Sequence, residues 1–353
     1  MSHKSTATLW VTGTAAAATV LATALVGLAT VPASAQDKLL IAFSMKTHVQ
    51  FRWAFDEAAI RAAAEKAGVD VVFQWANDSV TTQASQFENL ISQSPDVIVT
   101  NPVDSAAIGP QVDAAHQAGI PVIGYNVGVS TAKLDFQVRR DDQATGEVQA
   151  KAALRFAPKG NYAIIMGDPG NDVAHKISSV YDQFLRNNTD INIVYDNYTA
   201  NWDPKAAQSI AENVLTANDD KIDAFVVMND GMASGVAQAV KSRNLQGKVF
   251  ISGLDGDPAN MRLIGEGVQT MTVYQDYFDE GEKTIQAAVA LAAGKLPDMP
   301  HHMTDDGAGE YPAHELAVME INRDNLCEFV LEIAPAGYIT LADVFPDDPN
   351  ACK

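Results

Sequence analysis

The sequence predicts an α/β protein made of two successive lobes, each a parallel sheet covered by helices. Three observations carry this. Short apolar runs of strand type alternate with helical stretches from Lys38 onward, an order that implies a parallel sheet covered on both faces. The alternation meets charge near residues 140–142 and then starts again with a unit of similar size. Most strand runs also break directly into amides or carboxylates, and in open parallel sheets ligands bind in the crevice outside the carboxyl ends of the strands.

The first unit has strand candidates at 39–43, 69–73, 97–100, 122–124 and 136–138, with helical stretches at 50–67, 80–93 and 106–118. Gly68 and Gly119 follow two of these helices, where a left-handed residue commonly ends a helix. The second unit has strands at 162–166, 193–198, 224–228, 249–252 and 270–274, and helices from Thr145 and at 174–186, 204–216, 234–242 and 258–266. A helix near 279–293, a Gly/Pro-rich stretch at 294–312 and a strand at 314–321 complete the chain body.

Of the 353 residues, the first 35 read as an export signal rather than fold. Lys4 precedes an almost wholly small and apolar stretch at 9–31, and Ala33-Ser34-Ala35 offers a signal-peptidase pattern before Gln36. The stretch is long enough to span a bilayer, but its Ala/Thr/Gly richness and the small-x-small end favour cleavage and a periplasmic location. Cleavage removes one lysine and no acid, taking the formal charge from −20 to −21. A strongly acidic chain makes nucleic acid and anionic membrane poor partners. The two cysteines, Cys327 and Cys352, are expected to form a disulfide after export, two free thiols being the alternative.

No catalytic signature stands out. The glycines form neither a P-loop nor a dinucleotide turn, G-x-S-x-G is absent, and neither a cofactor nor catalytic residues are expected. His301-His302 with Asp305-Asp306 lacks a third metal ligand at helical spacing and reads as a solvated loop. What collects at strand ends is amide and carboxylate: Asn126, Asn171-Asp172, Asn229 and Asp255. Each has a structural reading too. Asn229 suits a helix N-cap, Asp172 a loop cap, and Asp255 a turn between glycines. Trp202 lies among turn residues, more typical of a binding surface than of core. Trp53 suits packing as well as the cleft, and Lys46, Thr47 and His48 are weaker candidates at its mouth.

Several runs extend this reading. Asn101-Pro102-Val103-Asp104-Ser105 resembles a segment of ribose-type binding proteins, while 212–218 with 221–224, 247–255 and 269–274 resemble the xylose-binding pattern. From Lys38 to about Asn322 the chain thus resembles the periplasmic sugar-binding proteins of ABC transporters, type I. The resemblance implies two Rossmann-like lobes joined by a three-stranded hinge. The boundaries it implies are 36–140 with about 276–304 for the first lobe, and 141–275 with about 305–353 for the second. It implies polar contacts from Asn126, Asn171, Asp172, Asn229, Asp255 and Gln275, aromatic faces from Phe51 and Trp202, and His175 where relatives carry a basic residue.

Planar amides and carboxylates suit adjacent sugar hydroxyls, and an aromatic face suits the apolar C–H face of a pyranose. Three positions depart from the pattern: Asn126-Val127 replaces an aspartate-arginine pair, Val49 an amide or arginine, and Gln275 the xylose-type lysine. Arg139-Arg140 either supplies a replacement cation or pairs with Asp141 and Asp142. The implied function is a non-enzymatic importer component delivering a xylose-like monosaccharide to a membrane permease, a chemoreceptor being a further partner the family allows. A polyol or cyclitol, a nucleoside, a furanose-like signal molecule, or a sensor role are the alternatives. An acid–base enzyme using Asp172 or Asp255 is the rival from another class.

Overall fold

Apolar runs too short for helices become strands where neighbouring strands can pair with them. The computed structural model describes residues 38–348 and 350–352, with Trp10, so the signal-peptide reading falls outside the described residues apart from Trp10. In chain order the first unit runs β1 (Leu40–Met45), α1 (Arg52–Ala67), β2 (Asp70–Trp75), α2 (Val80–Ser92), β3 (Val97–Thr100), α3 (Gly109–Gln117), β4 (Val122–Tyr125) and β5 (Phe136–Arg140). The second runs α4 (Asp142–Phe156), β6 (Gly160–Met166), α5 (Asp172–Tyr181), β7 (Ile191–Tyr198), α6 (Pro204–Ala217), β8 (Ala224–Val227), α7 (Asp230–Ser242), β9 (Phe250–Ile251), α8 (Pro258–Gly265) and β10 (Met271–Tyr274). Then follow α9 (Tyr277–Ala292), β11 (His302–Thr304), β12 (Tyr311–Leu316) and β13 (Met319–Asn322).

The first sheet has the order β11-β12-β5-β4-β3-β1-β2 and the second β7-β6-β8-β9, extended through a Leu254–Val273 bridge to the β10-β13 pair. All pairings are parallel except β11 with β12 and β13 with β10. Each half therefore repeats the strand order 2-1-3-4-5, a doubly wound arrangement whose ligand crevice lies at the carboxyl edge beside the first strand. Apolar residues such as Phe43, Val99 and Ile123 on one face of the first sheet, and Ala42, Ile98 and Val122 on the other, form separate core clusters. Burial on both faces is why these strands read as continuous apolar runs rather than alternating ones.

The chain passes between the lobes three times: after β5, after β10, and between β12 and β13. At the first two passages a carboxylate caps the next helix. Asp141 accepts from the Ala144 N–H (2.8 Å), and Asp276 accepts from Phe278 and Asp279. The last passage differs from the sequence reading. The resemblance implies that about 305–353 belongs to the second lobe, and the sequence predicts one strand at 314–321, whereas β12 pairs with β5 of the first sheet and only β13 joins the second. Ala317 and Val318 lie outside both strands, so one continuous stretch serves two sheets. The Cys327–Cys352 disulfide is present and ties the C-terminal segment to the body. That segment brings Tyr338 onto the hinge, where its hydroxyl donates to Gly256 O (2.7 Å) and its ring lies 4.7 Å from Phe55.

Candidate functional site

The carboxyl ends of the strands from both lobes converge on one closed cavity. Lys46 enters from the end of β1, Asn126 and Val127 from β4, and Arg140 is the last residue of β5. The second lobe contributes Asn171 and Val173 at the start of α5, Trp202 after β7, Asn229 after β8, and Leu254 and Asp255 after β9. Gln50, Arg52 and Trp53, at the entry to α1, complete the wall. The cavity has room for about one water, so the two lobes lie close together across it.

Local backbone geometry aims these side chains. Asn126 (φ 62°) and Asp255 (φ 106°) adopt left-handed or neighbouring conformations that a non-glycine residue enters only when its surroundings enforce them. Asn201 (φ 56°) and Trp202 (φ 54°) make a tight left-handed turn that lays the indole over Gly167, where a Cβ would meet the ring at 2.1 Å. Asn229 has two jobs: its Oδ1 caps α7 by accepting from the Met232 N–H (3.0 Å), leaving Nδ2 as its donor. Asn171 Nδ2 and Trp202 Nε1 are buried without a protein partner.

A buried charge network runs from the wall into the protein interior. Arg52 is 2% exposed and binds Asp56 through two nitrogens (2.9 and 3.2 Å), and lies 3.4 Å from both Asp255 and Glu280. The Tyr125 hydroxyl donates to Asp56, and Gln275 donates to Glu280. Arg140 pairs with Asp142 (2.8 Å) and reaches Asn126 Oδ1 (3.4 Å) and Gln275 Oε1 (3.3 Å). Burial pushes Asp142 up to about 6 against the pull of Arg140, and Glu280 up to about 7 against the pull of Arg52. Burial also raises Asp255, opposed by Arg52 and Arg140, and lowers Lys46, opposed by Asp78 and Asp168. The wall carries amides, cations, one carboxylate and two indoles, but no serine, cysteine or histidine beside a base. Such a set can bind and orient a hydroxylated ligand.

Of the sequence candidates, Asn126, Asn171, Trp202, Asn229 and Asp255 come together here. Gln275 stands one layer behind, holding Arg140 and Glu280. Asp172 and His175 line a separate rim cavity; Asp172 bonds Lys176, and the His175 ring nitrogens contact Pro169 O and the Tyr198 hydroxyl. Phe51 is 52% exposed, its ring 5.0 Å from Phe55. It precedes α1, and the helical rotation that leaves it outside turns Trp53 inward. Thr47 and His48 do not line the cavity, and His48 stacks on Trp75 (3.6 Å). Neither reading of the arginine pair was complete, because Arg140 both lines the cavity and pairs with Asp142, while Arg139 binds Asp306 and Glu315.

The 301–306 loop is a correction. Asp306 is not solvated: its side chain is 3% exposed and sits between Arg139 and Lys176. Among the described residues no group of three potential ligands could hold a metal ion. Missed by the sequence reading were Gln50, Arg52, Val173 and Leu254. A signal existed for Arg52, whose spacing of four from Asp56 puts both on one helix face.

A family model for the periplasmic binding protein domain matches residues 41–296. The chain belongs to the type I periplasmic sugar-binding proteins. It is 35% identical over 284 residues to the D-xylose-binding periplasmic protein of Escherichia coli, covering 80% of this chain and 86% of that one. It is 33% identical over 228 residues to the xylitol-binding protein of Mycolicibacterium smegmatis, covering 64% and 65%. An ABC transporter solute-binding protein from Clostridium phytofermentans, solved with bound β-D-glucose, superposes with a TM-score of 0.77 at 23% identity over 86% of this chain and 99% of that one. Family membership makes this periplasmic binding protein a substrate-binding component of sugar ABC transport, working with a membrane permease, in a family of binders rather than enzymes.

Proposed function

We propose that the cavity binds one xylose-like pentose or a closely related sugar, and that the closed form hands it to the permease. The observation that carries this is the convergence of Asn126, Asn171, Asn229 and Asp255 with the Trp53 and Trp202 indoles on one closed interlobe cavity. Amide and carboxylate groups serve paired hydroxyls, the indoles serve the C–H face, and closure removes the water that competes for both. Similarity to a xylose-binding relative supports a pentose over a hexose, and similarity to a xylitol-binding relative supports ligands of that carbon count. Asp172, His175 and Gln275 act from the rim and the second layer, and Phe51 at the mouth. Ligand binding shifts an open–closed equilibrium by its preference for the closed state.

The test is thermal unfolding of the chain freed of copurified ligand, against D-xylose, D-ribose, D-glucose, xylitol, myo-inositol and adenosine. A pentose at a hundredfold excess over its Kd should add about 2.7 kcal/mol of stability. Stabilisation by adenosine alone would replace this reading with a nucleoside-binding one, and no response to any of the six would remove it.

A further inference from the structure

Lys46 is the cation of this cavity that has no carboxylate within bonding distance. It follows β1 directly, is 5% exposed, and lines the cavity wall. Arg52 and Arg140, the other two cations of the wall, are held by Asp56, Asp255, Glu280 and Asp142. Among the described residues no oxygen accepts a hydrogen bond from the Lys46 ammonium. It lies instead between two indole faces, 5.9 Å from the Trp53 ring centre in the first lobe and 5.8 Å from that of Trp202 in the second. Cation–π attraction of this kind compensates a buried charge only in part. Two further unmatched groups on the wall, Asn171 Nδ2 and Trp202 Nε1, are also donors.

The unpartnered buried atoms named beside Lys46 are therefore all donors. A ligand hydroxyl placed against it would satisfy the ammonium, but its own proton would face donors and ring faces. An oxygen that only accepts has no such proton. Resting on the reading of this cavity as a sugar site, we infer that Lys46 is a specificity-determining residue that selects a ligand presenting an acceptor-only oxygen between Trp53 and Trp202. The ring oxygen of a pyranose and the carboxylate of the corresponding sugar acid share this chemistry, whereas an open-chain polyol, all of whose oxygens carry protons, lacks it.

Calorimetric titration of the ligand-free chain with D-xylose, D-xylonate, 5-thio-D-xylose and xylitol tests this. The thio-sugar keeps every hydroxyl but replaces the ring oxygen by a weakly accepting sulfur. Xylose or xylonate should bind on the order of ten- to a hundredfold tighter than the thio-sugar and xylitol, the factor carried by a charge-assisted hydrogen bond. Xylose leading identifies the ring oxygen, and xylonate leading identifies the carboxylate. K46M keeps the stem volume and removes the charge. It should reduce the preference to within a few-fold and raise the melting temperature of the ligand-free chain, a pair of opposite effects that a packing role would not produce. Equal binding of all four ligands, or a preference that survives in K46M, overturns the inference while leaving the sugar-site reading intact. No binding by any of the four overturns both.

Discussion

At the residue scale, side chains of the site serve two purposes at once. Asn229 caps α7 through Oδ1 and offers Nδ2 to the cavity, so N229S should separate the roles. Serine caps as well as asparagine but lacks the amide donor. Its stability should stay within about 0.5 kcal/mol of the parent, whereas N229A should lose about 1 kcal/mol. Both should weaken ligand binding about tenfold, the worth of one hydrogen bond. Chemical denaturation alongside calorimetry checks this; unchanged affinity in N229S would leave Asn229 as a cap alone. Arg52 is the other case. Removing its charge in R52M strands Asp56 and Glu280 in the interior, which should cost about 3–5 kcal/mol in urea unfolding. A loss below 1 kcal/mol would mean the network relaxes around the missing cation.

Placement was legible where one residue's position at a strand end decides it. Asn126, Asn171, Asn229 and Asp255 each end or follow an apolar run, and the topology brings such ends together. It was not legible where the other lobe decides. Nothing local in the chain says that Lys46 lies against Trp202, because that contact exists only once two lobes close. Nor does the sequence distinguish Phe51 from Trp53 until the start of α1 is fixed to within a residue, and helix boundaries are the least legible feature of a single sequence.

At the element scale, the start of α5 works as a latch. The Ser105 N–H donates to Gly170 O (2.9 Å) and the Gly128 N–H donates to Asp172 Oδ1 (3.0 Å), both across the cleft. Lys176, one turn on, binds Asp172 (2.6 Å) and reaches Asp306 (2.9 Å), whose side chain is 3% exposed. This rim network favours closure with no help from a ligand. K176M should therefore shift the ligand-free protein toward an open form with a larger radius of gyration by small-angle scattering, and weaken binding severalfold. An unchanged scattering profile would show that the hinge, not the rim, sets the equilibrium. Asp172 was legible as a strand-end acid, but Asp306, which shares Lys176 with it, was not. The Gly/Pro-rich stretch around it looks like surface loop, and only the pairing of β11 with β12 carries Asp306 to the rim.

At the scale of the whole molecule, buried acids set the response to pH. Burial raises Asp142 to about 6, Glu280 to about 7 and Asp257 to about 8. A carboxyl whose folded pKa lies above its unfolded value contributes stability while protonated, and that contribution is lost as pH rises through the window between the two values. The windows run from 3.8 to about 6, from 4.5 to about 7 and from 3.8 to about 8. The melting temperature should accordingly fall between pH 5 and pH 8, and D257N should flatten the upper part of that profile. A melting temperature that rises across this range would contradict the assignment. The two-lobed architecture was legible from the repeated strand–helix pattern. The last crossing was not, because Tyr311–Leu316 and Met319–Asn322 are separated only by Ala317-Val318, which carry no turn signal.

The central claim is that a pentose-type sugar closes between the lobes against the Trp202 indole. The most direct measurement is intrinsic tryptophan fluorescence of the ligand-free chain titrated with D-xylose, beside the same titration of W202F. Trp202 and Trp53 both wall the cavity, so titration should give a saturable change in emission that is reduced in W202F, with weaker binding. A flat titration, or a saturable change that W202F leaves untouched, would contradict it.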